Sequence, residues 1–121
     1  YVYFTYGMHY CMNIVCEREG TPAAVLIRGA VPLEGIERIR ARRPGVQDKQ
    51  LINGPAKLTK GLDIDGTFNR YDLIGPDERD SEAGGKAIAI FYAGQAPAYK
   101  ATPRIGISAG TDLLWRFVSD E

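Results

Sequence analysis

The sequence predicts one α+β domain, and three observations predict it. Aromatic and β-branched runs near both ends read as strands. Between them lie two stretches of helical apolar spacing fenced by Pro and Gly. Strands precede helices and follow them, with no internal repeat and no low-complexity tract, over 121 residues, about one domain's worth of chain.

Tyr1-Val2-Tyr3-Phe4-Thr5-Tyr6 is a strand by composition, and Gly7 breaks it. His9 to Cys16 reads as a second strand, so the pair forms a hairpin with Tyr6, Gly7 and Met8 at or near its tip. A polar turn with Gly20 and Pro22 follows, then a third strand over residues 23–31, apolar enough to be buried on both faces, with Arg28 inside it. Pro32 opens a helix in which Leu33, Ile36 and Ile39 recur at helical spacing. Glu34 and Glu37 come early, and Arg40, Arg42 and Arg43 late, as the helix dipole favours. Pro44 and Gly45 stop it. A second helix begins near Asn53-Gly54-Pro55, with Asn53 as cap and Leu58 and Leu62 on one face. Residues 63–86 are an irregular excursion rich in Asp, Gly and Pro. Residues 87–92 and 113–118 read as further strands.

Composition sets limits on function. With 45% apolar and 25% charged residues, the chain is ordinary globular material. No run of about 18 apolar residues offers a membrane span, and no basic-then-apolar leader is present. The chain opens on Tyr1 inside a strand-like run, so residues upstream are expected. Cys11 and Cys16 form no C-x-x-C pair, and the single His9 is too little for a zinc set; both thiols are expected buried or half-buried. Net charge is zero, yet residues 1–60 hold nine Lys/Arg against five Asp/Glu and residues 61–121 six against ten. Such asymmetry suggests one basic and one acidic face.

As bare chemistry, the first thirteen residues have two readings. Tyr3, Tyr6, Met8, His9 and Tyr10 can be core residues of a sheet. They can also supply a wedge and an aromatic wall, which an enzyme needs to draw a base out of a duplex, although composition alone favours the sheet core. Here the sequence resembles the alkyladenine (3-methyladenine) DNA glycosylases. The run Tyr1-Val2-Tyr3 with Tyr6-Gly7-Met8 and Cys11-Met12-Asn13 is similar to that family's DNA-insertion hairpin. The likeness continues through Ala24-Val25-Leu26-Ile27-Arg28, Pro32-Leu33-Glu34-Gly35, Asn53-Gly54-Pro55-Ala56-Lys57-Leu58, Pro103-Arg104-Ile105-Gly106 and Trp115-Arg116-Phe117.

The resemblance implies a single mixed domain around a curved antiparallel sheet with a protruding insertion hairpin. Residues 1–121 would be part of that domain, its N-terminal portion lying outside. Tyr6 matches the tyrosine that fills the space of the flipped nucleotide, and Met8 and His9 match its backbone-touching flank. Tyr3 matches a wall of the base pocket. Asn13 matches a pocket-floor asparagine that disfavours guanine, and Arg28 an arginine that positions the attacking water. Lys57 falls where a DNA contact is expected, at a helix start whose N–H groups suit phosphate. Each position has a structural alternative: a surface or sheet tyrosine, an asparagine bonded to local backbone, an ion-paired arginine, a capped helix start. The arginines of residues 38–43 read as a solvated helix face, and Arg104 has no assigned role.

The implied activity is hydrolysis of the N-glycosidic bond of alkylated or deaminated purines such as 3-methyladenine, hypoxanthine and ethenoadenine. Water is the nucleophile, and no metal or organic cofactor is needed. The family's glutamate lies upstream of the hairpin, and neither Glu17 nor Glu19 matches it. The 121-residue chain is therefore expected to be inactive alone, or to act as a damaged-DNA binding module. Its partner would be duplex DNA and its state a monomer, in the cytoplasm at the nucleoid or in the nucleus.

Overall fold

A computed structural model describes residues 1–5, 9–73 and 86–120. The predicted hairpin-tip residues Tyr6, Gly7 and Met8 lie outside the described residues. The chain forms two compact units, residues 1–89 and 90–121. Both carry small antiparallel sheets, and the first also carries two helices, so the chain is of mixed α and β structure.

In the first unit, β1 (Val2–Thr5), β2 (His9–Cys16) and β3 (Ala23–Leu26) form an antiparallel sheet in that order. Val2 pairs with Met12, Tyr3 with Cys11 and Thr5 with His9, so β1 and β2 meet as the aromatic alternation predicts. Strand alternation sends Val2 and Met12 to one face and Tyr1, Tyr3, Cys11 and Asn13 to the other. The first of these faces meets Ile39, Leu51, Ile52, Leu58, Ile64 and Phe68, and this is the core. Phe4 and Tyr10 extend that side with ring centroids 4.9 Å apart.

Helix α1 (Ile36–Arg42) starts four residues later than the predicted opening at Pro32. Gly35, at φ 73°, holds a left-handed turn that a continuing helix cannot include, and Leu33 is 93% exposed instead of lining it. Helix α2 (Pro55–Gly61) starts where Pro55 predicts, but its cap is Gly54 and no side chain caps it. Asn53 is turned instead toward Lys57. Leu58 is buried and Leu62 is 39% exposed, because the helix has ended before Leu62. The third strand is also shorter than residues 23–31, and Val25, 52% exposed, shows that it is not buried on both faces.

The late arginines of α1 do more than face solvent. Arg40 pairs with Asp48. Arg42 donates to the Gly61 carbonyl at 3.0 Å, and Arg43 to the carbonyls of Gln50 and Leu51 at 2.8 and 2.6 Å. They tie α1 to the end of α2 and to the segment before it. Gly61 makes that approach possible: a Cβ there would lie 2.5 Å from Ile52 Cγ2 and 3.2 Å from Ile39 Cγ2. Gly61→Ala gains helix propensity but overpacks the junction, and the clash dominates. The expected result is a net loss of about 1–3 kcal/mol. A denaturation midpoint equal to the parent's would contradict this close approach.

The second unit is a β-ribbon of β4 (Tyr99–Thr102) and β5 (Arg116–Ser119), paired antiparallel with Thr102 opposite Arg116. Residues 87–92 form no strand, β5 is displaced from 113–118, and β4 had no clear sequence signal. Arg104 lies over the Trp115 ring at 5.4 Å and donates to the Ala109 carbonyl at 3.4 Å. Its visible role is local: it joins two of the resemblance blocks, one on each side of the loop. Arg116 donates to Thr102 Oγ1 at 3.2 Å.

Candidate nucleic-acid interface

The outer face of the three-stranded sheet gathers most of the described candidate residues. Tyr3 stands opposite Cys11 in the register, and Asn13 opposite Leu26. The backbone of Asn13 closes on Tyr1: its N–H donates to the Tyr1 carbonyl at 2.7 Å, and its carbonyl accepts from the Tyr1 backbone nitrogen at 2.8 Å. The Tyr1 and Tyr3 rings stack at 5.3 Å. After β3 ends, the Ile27 N–H still donates to the Met12 carbonyl at 3.0 Å. That extra rung brings Arg28 to the position opposite Cys11, on the Tyr3 and Asn13 face.

Asn13 is nearly buried at 9% exposure and its side chain is oriented. Nδ2 donates to the Tyr1 carbonyl at 3.3 Å and, weakly, to the Cys11 carbonyl at 3.5 Å. The amide oxygen has no partner among the described residues, so it remains an acceptor for something else. Cys11 is buried beside it and Cys16 is half-buried, both as free thiols, as expected. Tyr1 and Cys11 match no site position of the resemblance, yet their backbone carbonyls orient Asn13. The signal was available, since Tyr1 and Tyr3, and Cys11 and Asn13, are two residues apart on paired strands.

Arg28 is exposed, so the expectation of an arginine held inside an apolar strand is not met at its side chain. His9 opens β2 as an exposed residue. Lys57 stands apart from the outer face. Its helix packs against the other side of β2, where Thr59 Oγ1 donates to the Tyr10 carbonyl at 3.0 Å, and Lys57 Nζ reaches Asn53 Oδ1 at 3.1 Å. On that other side an open hollow of about 240 Å³ is lined by His9, Tyr10, Thr59, Lys60, Asp63 and Asp65, with no part from Tyr3, Asn13 or Arg28. The Thr67 hydroxyl and N–H hold the Asp65 carboxyl below its ordinary range, and Asp63 holds the Lys86 ammonium above its own. Asp65 and Lys86 therefore stay charged at neutral pH. No cluster of three or more His, Cys, Asp or Glu suited to a metal occurs among the described residues, and no described helix is long and apolar enough to cross a membrane.

The outer face thus offers stacked tyrosines, an oriented amide and an arginine, with no acidic residue at any strand position alternating onto it. The stacked rings supply a flat apolar surface, and the amide and guanidinium supply a hydrogen-bond acceptor and donors. A family model described as Methylpurine-DNA glycosylase (MPG) matches residues 1–121. The chain belongs to this DNA glycosylase family. A Burkholderia lata protein named "Putative 3-methyladenine DNA glycosylase" is 48% identical over 120 residues, 97% of this chain and 54% of the relative. Proteins with the same name from Carboxydothermus hydrogenoformans and Sodalis glossinidius are 47% and 45% identical, over 97% and 98% of this chain and 58% of each relative. The chain spans about half the length of the curated relatives it matches.

Proposed function

We propose that the protein carrying this chain is a base-excision repair glycosylase. It extrudes alkylated or deaminated purines from duplex DNA and hydrolyses their N-glycosidic bond with water. The observation that carries the reading is the family match over all 121 residues, supported by the shared face of Tyr3, Asn13 and Arg28. In this reading Tyr3 is an aromatic wall and Asn13 a floor that discriminates by its oriented amide. Arg28 positions water, while Met8, His9 and Lys57 contact the DNA backbone. Hydrolysis passes through an oxocarbenium-like state that needs a carboxylate beside the sugar. Among the described residues the strand positions of that face carry none, and in this reading the group is supplied by polypeptide beyond residues 1–121. The protein acts as a monomer on DNA in the cytoplasm or nucleus, without a cofactor.

The direct test is release of 3-methyladenine and hypoxanthine from duplex substrates by the full-length protein. Binding of lesion-bearing duplex without base release would favour a damaged-DNA binding module instead. Tyr6 is the proposed wedge that fills the gap left by the extruded nucleotide. Unstacking a base costs a few kcal/mol, so Tyr6→Ala should lower the flipped population of a fluorescent base analogue severalfold. Equal flipping in the two proteins would remove the wedge.

A further inference from the structure

Asn53-Gly54 has the chemistry of a self-modifying pair. Gly54 carries no side chain to shield its backbone nitrogen, and its backbone is extended at φ −163°, ψ 159°. Its N–H makes no hydrogen bond among the described residues. Asn53 is exposed, and its amide oxygen accepts from Lys57 Nζ at 3.1 Å. The methylene stem of Lys57 lies against Gly54, with Cδ 3.4 Å from where a Cβ would stand, and this contact supports the ammonium beside the Asn53 amide.

We propose that Asn53 deamidates in the folded protein through a succinimide, with Lys57 stabilising the charge that develops on the amide oxygen. The Gly54 nitrogen bonds to Asn53 Cγ and gives up its proton to water. The tetrahedral carbon carries its negative charge on Oδ1, facing the Lys57 ammonium. The bond from Cγ to Nδ2 then breaks, and the amide nitrogen leaves as ammonia after taking a proton. Water adds to either carbonyl of the ring and opens it, giving aspartate or isoaspartate at position 53. The net change is one water consumed and one ammonia released, with no oxidation or reduction.

The other two asparagines lack this combination. Asn13 is buried and its Nδ2 is tied to the Tyr1 and Cys11 carbonyls. Asn69 has its Oδ1 on the Val2 N–H at 3.3 Å, and Arg70 follows it rather than Gly. At Asn53 the product places a carboxylate opposite Lys57, where the two form an ion pair just before α2. Under the functional reading above, that pair would withdraw Lys57 from DNA phosphate.

The experiment ages full-length protein in warm neutral buffer and maps its peptides by mass spectrometry, with enzymatic methylation to mark isoaspartate. Among the asparagines of residues 1–121, position 53 should be the main site of acid formation. Lys57→Met keeps the stem and removes the charge, and should slow the conversion by about tenfold, one decade of rate. Gly54→Ala should nearly abolish it. The extended backbone before Pro55 accepts Ala, and the new methyl meets only the flexible Lys57 chain, so that variant folds. An intact Asn53 in aged native protein, alongside conversion in a urea-unfolded control, overturns the proposal, as does a Lys57→Met rate equal to the parent's. Duplex binding by the aged protein is a separate readout resting on the functional reading. Acid at position 53 with unchanged DNA affinity would reject Lys57 as a phosphate contact and leave the modification site standing.

Discussion

Incubated with a hypoxanthine-containing duplex, residues 1–121 alone should give no strand breaks after alkali, while the full-length protein should give them at every turnover. The expectation follows from what the outer face contains. Tyr1, Tyr3, Cys11, Asn13, Leu26 and Arg28 include an acceptor amide and a cation, but no carboxylate. Arg28 can hold a water and cannot take its proton, because a guanidinium remains charged at neutral pH. A positioned general base contributes on the order of 10²–10⁴ in rate, and a neutral leaving group such as hypoxanthine has no compensating reactivity. A cationic base such as 3-methyladenine departs more easily, so slight release of that base alone is compatible with the expectation. Comparable break rates on the hypoxanthine duplex from chain and full-length protein would place the catalytic carboxylate within these residues.

Much of this site was legible because strands have a strict period of two. The alternation Tyr1, Tyr3 on one strand and Cys11, Asn13 on the next is enough to predict a shared face, and the register of β1 and β2 supplies it. The start of α2 was legible from Pro55, whose fixed φ suits a first helical turn. Other features depend on what packs where. Leu33 has helical spacing with Ile36 and Ile39, but the left-handed backbone at Gly35 separates it from the helix, and spacing alone does not register a dihedral angle. Asn53 has the composition of a cap, yet a lysine one turn later competes for its oxygen. The arginines of α1 looked like solvated charge, because nothing in their order reveals that backbone carbonyls of Gln50, Leu51 and Gly61 lie within reach. In β4 the single Tyr99 gave too little apolar alternation to mark a strand.

Replacing Asn13 with Ala in the full-length protein should relax discrimination against undamaged guanine by about 10–200-fold, the range set by small changes of shape in a recognition pocket. The reasoning begins with the orientation of the amide. Nδ2 is occupied by the Tyr1 carbonyl at 3.3 Å, so the side chain cannot easily swing away from a base that crowds it. On the proposed reading, a base whose exocyclic amine crowds Asn13 must displace it or bind poorly, whereas an adenine derivative avoids that conflict. Alanine removes the obstruction. It should do so without disturbing the sheet, because the Tyr1 carbonyl keeps its 2.7 Å bond from the Asn13 backbone N–H. The lost side-chain bond is worth about 0.5–1.5 kcal/mol, a change that a denaturation midpoint would register without loss of the fold. The decisive quantity is the ratio of guanine release to hypoxanthine release, measured on matched duplexes with parent and variant. A ratio unchanged by the substitution, in a variant that still folds and still excises hypoxanthine, would show that the Asn13 amide is held for the sheet and not for the base.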